Sequence, residues 1–143
     1  MVPVAQAESG LPLVLATTFT LATPAPTSVR ELAEFLWEQS PGHHEGALSK
    51  ILVSAATTPG AQYLDFRVST YAPKAHVQTH VHPNKEQIYF FLEGEGVLEL
   101  GAEKKVVRPN QFAFIPPHLP HGLHNTGNGQ LVFIVITTLT ERG

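Results

Sequence analysis

Cysteine is absent from all 143 residues, which excludes disulfides, thiolate nucleophiles and sulfur-ligated zinc. Charge is sparse: Asp, Glu, Lys and Arg make up 15% of the chain, with a formal net charge of −3 and no basic block. Nucleic-acid binding therefore lacks its electrostatic footprint. No apolar run approaches the roughly 20 residues that a membrane span requires. Leu11–Leu15 is short and has no Lys or Arg before it, which argues against a secretory signal. The expectation is a soluble, cytoplasmic protein with neither membrane nor nucleic acid as partner, and a length suited to one domain with a single core.

Histidine is plentiful instead. There are eight, six of them between His76 and His124, so any metal chemistry must use nitrogen and oxygen donors. His80 and His82 are separated by one residue, and on an extended segment two such side chains point the same way. Imidazole is the commonest protein metal ligand, so the pair reads as half of a metal site. A second cluster, His118, His121 and His124, follows a short strand pattern.

The two segments resemble the paired motifs of the cupin family. In that family a strand bearing His-x-His and then Glu or Gln, closed by a glycine turn, is followed by Pro-x-x-x-x-His-x-x-x-Asn. His80, His82 and Gly94 match the first motif; Pro116, His121 and Asn125 match the second. The likeness spans about residues 62 to 137. It implies an all-β, single cupin jelly-roll barrel holding one divalent transition metal on His80, His82, His121 and a fourth ligand. The family usually has Glu at that fourth place. Spacing to Gly94 favours Gln87, with Glu86 as the rival one residue earlier. His118 stands where the family has glycine, in a turn that a side chain should resist if φ is positive.

In chain order, residues 1 to 26 form an apolar, Pro-rich arm, either loose or added to a partner's sheet. Ser28 and Glu31 form a capping-box pattern, and Val29, Leu32, Ala33 and Leu36 recur at helical spacing. One short α-helix is thus expected over about 29–39, stopped by Pro41-Gly42. The arm and helix make up residues 1–47, and the barrel 48–143. From Leu48 the pattern turns to period two, with strands expected at 48–56, 62–71, 76–82, 87–93, 96–100, 104–108, 112–115, 121–125 and 130–138. Ile88–Leu92 and Leu131–Ile136 are apolar without alternation, which calls for cover on both sheet faces and points to a homodimer, or to the helix and arm covering the outer face.

If His80 and His82 face the interior, alternation adds His76 and Gln78 on the same strand, and Gln87, Tyr89 and Phe91 on the next. Tyr89, His76 and His118 are the candidates for proton transfer; His43 and His44, adjacent in a loop, are not expected to share a metal. Three imidazoles and an amide leave the charge of a divalent ion uncompensated, so that the ion stays a strong Lewis acid. Manganese, iron, nickel, zinc and copper all accept such donors. The resemblance implies a small-molecule enzyme of isomerase, lyase or cyclase type acting on an enolisable carbonyl compound. The alternatives are a quercetinase-like or diketone-cleaving dioxygenase, and a non-catalytic module for a sugar or small acid.

Overall fold

The computed structural model describes residues 29–139, so the apolar arm and Ser28 lie outside the described residues. Ten strands form two antiparallel sheets. They are β1 (Glu38–Gln39), β2 (Ala47–Val53), β3 (Leu64–Tyr71), β4 (His76–His80), β5 (Lys85–Glu93), β6 (Gly96–Leu100), β7 (Glu103–Val107), β8 (Phe112–Ile115), β9 (His121–Asn125) and β10 (Leu131–Leu139). One sheet runs β1-β2-β3-β10-β5-β8 and the other β4-β9-β6-β7. This is the expected all-β jelly roll, and no helix among the described residues is long and apolar enough to cross a membrane.

The α-helix expected over 29–39 does not form. Only one turn of 3-10 helix, Leu32–Glu34, is present, capped by Glu31 and Glu34 rather than by Ser28 and Glu31, and it ends at an extended Phe35. The physical reason is that the apolar stripe has no packing partner among the described residues: Val29 is fully exposed, and Leu36 is 79% exposed. An eleven-residue helix with no packed face is marginal in water. The chain instead pairs Glu38 and Gln39 with Ser49 and Leu48, adding a short edge strand.

β10 is the spine of the larger sheet, paired with β3 on one side and β5 on the other. Its inward residues Leu131, Phe133, Val135 and Thr137 are buried while the intervening ones are half-buried. Phe133 sits at the centre, with ring centroids 5.1 Å from Tyr71, 5.5 Å from Tyr89 and 5.7 Å from Phe91. From the facing sheet, Val77, Leu98, Val107 and Leu123 close the core. Between β5 and β6, Gly94 adopts φ +82°, and a Cβ there would lie 2.3 Å from the Gln130 carbonyl oxygen. Only glycine fits both that φ and that approach.

One irregularity determines what the core sees. Val77 opposes Leu123 and His80 opposes His121, so three steps along β4 match two along β9. The extra residue is a β-bulge, which flips the alternation beyond it. Gly122 lies opposite the bulge, where a Cβ would sit 3.0 Å from the Thr79 nitrogen and 3.1 Å from the Val77 carbonyl oxygen.

Candidate metal centre and its cavity

Because of the bulge, Val77 and His80 both turn inward, and β9 brings His121 opposite His80. His82 follows in the loop after β4, where its carbonyl accepts the His118 N–H at 2.9 Å. The three imidazoles converge: centroids are 4.3 Å apart for His80 and His121, 4.7 Å for His80 and His82, and 5.3 Å for His82 and His121. One ligand nitrogen from each lies within 4.8 Å of the other two, so the triad can hold a metal ion.

Second contacts fix which nitrogen is offered. Nδ1 of His80 is 2.8 Å from the Gln78 carbonyl, and Nδ1 of His121 is 2.8 Å from the Leu119 carbonyl. A carbonyl can only accept, so each Nδ1 carries the proton and each Nε2 keeps its lone pair. His121 Nε2 is buried and has no hydrogen-bond partner among the described residues. Burial holds His121 below the usual histidine range and takes His82 down to about 4, helped by the neighbouring His80. Both rings are neutral at pH 7, the form that binds a cation.

On β5, Gln87 faces inward and is 8% exposed, whereas Glu86 is exposed on the opposite face. Gln87 Nε2 donates to Thr137 Oγ1 at 3.0 Å, and Gln87 Oε1 is buried without a partner. An orphaned buried acceptor costs about 1–3 kcal/mol. Two such atoms, the His121 nitrogen and the Gln87 oxygen, fit a cation as their missing partner.

The triad opens onto a cavity of about 730 Å³, within the range of small-molecule sites. Tyr89 lies on its wall, its ring 6.2 Å from that of His121; burial raises the phenol well above its ordinary value, so it stays protonated. Asn125 has a structural role, donating to the Tyr71 and Gly129 carbonyls and accepting from the Gly127 N–H.

Two of the expected positions are corrected. His76 does not share the inward face of His80. It lies before the bulge, its ring 5.3 Å from His124 and 5.0 Å from His44, outside the cavity. His118 is exposed, and its backbone takes the left-handed conformation at φ +67° despite its side chain. Conversely, sequence reasoning sets His43 aside and does not consider Arg67, yet both line the cavity. An isolated bridge between His43 and Val77 brings the first in. Period two along β3 brings in the second, together with Asp65, Ser69 and Tyr71.

A two-sheeted antiparallel barrel with a histidine triad opening on its interior defines a class of β proteins that bind metal ions and small molecules. The cupin domain family matches residues 67–137, and the chain belongs to that family. An uncharacterized protein of Methanocaldococcus jannaschii is 43% identical over 49 residues, a match covering 34% of this chain and 39% of that protein. The chain thus spans well under half of that relative. Among solved structures, a predicted oxalate decarboxylase from Thermotoga maritima superposes with a TM-score of 0.71 at 23% identity, covering 78% of this chain and 99% of that one. The polyketide cyclase RemF from Streptomyces resistomycificus gives 0.69 at 22% identity, with 82% of each chain covered. At these identities the superpositions establish the shared fold.

Proposed function

We propose that the protein is a metal-dependent enzyme for a small organic substrate, activating a carbonyl or enolisable group without redox turnover in the manner of an isomerase, lyase or cyclase. The observation that carries this reading is the donor set: three imidazoles beside an orphaned amide oxygen, with the one rival carboxylate, Glu86, facing away. A divalent transition ion, whether manganese, iron, nickel, zinc or copper, held by His80, His82, His121 and Gln87 would supply Lewis acidity with little of its charge cancelled.

The chain's own groups supply the rest. His43 Nδ1 is 3.1 Å from the Pro41 carbonyl and donates to it, which frees Nε2 as a proton acceptor, and burial keeps the ring neutral at pH 7. His43 is therefore suited to take a proton from a substrate carbon and return it. Tyr89, held protonated, cannot serve as a base but can donate its O–H, so its place is at a developing oxyanion. Phe133 and Val135 on the cavity wall exclude water from the reacting atoms. Gln87 cannot accept a proton at neutral pH, which removes the built-in base a carboxylate ligand would provide.

Turnover of an enolisable keto-acid panel by metal-loaded protein under argon tests this reading. A reaction that proceeds at the same rate with and without oxygen is expected. An absolute oxygen requirement would assign a dioxygenase, and binding without turnover of any compound would assign a carrier.

We further infer a homodimer. The outer face of the larger sheet carries Phe112 at 69%, Phe114 at 52%, Leu92 at 39% and Ile88 at 38% exposure, backed by half-buried Phe90 and Ile134. A contiguous apolar face of this kind marks an interface.

A further inference from the structure

We infer that Arg67 forms a carboxylate-binding subsite within the cavity, separate from the histidine triad, so that the ligand is a small organic anion seated by its carboxylate on Arg67 while another of its oxygens faces the triad. The triad end of this assignment rests on the metal-dependent reading above; the Arg67 end does not. On β3 the inward residues are Asp65, Arg67, Ser69 and Tyr71, so a strand that would ordinarily present an apolar face to the core presents a charged one. Arg67 stands opposite Val135, which stands opposite Tyr89. It is thus two strand spacings from Tyr89, about 10 Å between Cα atoms.

The guanidinium is held in a fixed plane. Nε and Nη2 donate to the two carboxylate oxygens of Asp65 at 2.6 and 2.8 Å, and Nη1 lies 3.4 Å from Ser40 Oγ. A guanidinium has five N–H donors, so an N–H on each terminal nitrogen stays uncommitted. The side chain is 30% exposed beside the cavity. Two parallel donors in one plane match the two oxygens of a carboxylate. The charge of the wall points the same way. Arg67 and Lys85 are its cations and Asp65 is its sole carboxylate among the described lining residues, while Glu38, outside the lining, also acts on Arg67. A tetrahedral oxyanion would need further donors, and among the described residues neither a glycine-rich loop nor a helix start reaches this wall.

The test is calorimetric titration of zinc-loaded and metal-free protein with pyruvate, 4-oxopentanoate and 5-oxohexanoate, each beside its methyl ester. On the native protein at least one acid should bind about tenfold or more tightly than its ester. Arg67→Gln should erase that preference, leaving ester affinity and zinc content unchanged. Arg67→Lys should retain part of it. The double variant Arg67→Gln with Asp65→Asn, which removes the ion pair as a unit, should behave like Arg67→Gln and so separates the subsite from any folding defect of an unpaired Asp65. Acids that bind no better than their esters, or a preference that survives in both Gln variants, would overturn the assignment. So would a preference lost on removing zinc but intact without Arg67, since the carboxylate would then sit on the metal. Failure of the native protein to take up zinc would count against the triad alone, because the acid-over-ester comparison can still be read on metal-free protein.

Discussion

His82, His121 and Gln87 carry the sharpest expectations. His82→Ala and His121→Ala should each abolish metal loading, measured by mass spectrometry of purified protein. Glu86→Ala should leave it nearly intact, since that carboxylate faces outward; loss of metal in the Glu86 variant would show that the segment rotates on binding. Protonation supplies a second check. His82 and His121 bind protons less readily folded than unfolded, where a histidine titrates near 6.5. As pH falls below that value the unfolded chain gains protons first, so the metal-free protein should lose stability progressively from about pH 6.5 down to about pH 4, the folded value for His82. Urea midpoints measured across that window should fall with pH, less steeply in His82→Ala. A flat profile in the native protein would mean that the rings titrate as they do in solution.

The bulge in β4 separates what the sequence discloses from what it hides. Strand positions were legible because period two survives in nearly every segment: the expected 96–100, 112–115 and 121–125 coincide with β6, β8 and β9. The convergence of His80, His82 and His121 was legible through their motif spacing. His76 was misplaced because regular alternation was carried backward from His80 through an inserted residue that only the partner strand reveals. His43 was missed because a loop residue's position depends on a long-range bridge to Val77, and the 29–39 helix failed because its apolar stripe has nothing to pack against among the described residues. Arg67 could have been found: alternation from Tyr71 back to Asp65 places it inward. The bulge also yields a prediction. Gly122→Ala adds a methyl at 3.0–3.1 Å from Thr79 and Val77 and should cost about 1–3 kcal/mol by overpacking. It should displace His80 enough to weaken zinc binding about tenfold although no ligand is changed. Unaltered zinc affinity would show that the bulge does not position the triad.

At the scale of the whole molecule, the larger sheet turns Arg67, Asp65, Ser49, Ser69 and Gln87 toward the cavity beside its apolar core, and Ile88, Phe90, Phe112 and Phe114 outward. The proposed second copy would cover that outer face. Phe114→Asp should therefore convert a dimer to a monomer in sedimentation velocity at unchanged metal content, and a native protein that sediments as a monomer would contradict it. Phe133, on which Tyr71, Tyr89 and Phe91 all pack, ties the cavity to the core; Phe133→Ala should cost about 3–5 kcal/mol in denaturant unfolding. Everything said of the chemistry depends on one cation sitting among three rings. Anomalous diffraction at the zinc edge, from crystals grown with zinc, should show one strong peak about 2.0–2.1 Å from a nitrogen of each of His80, His82 and His121, with Gln87 Oε1 turned toward it. A peak elsewhere, or the three rings turned away from one another around water, would contradict it.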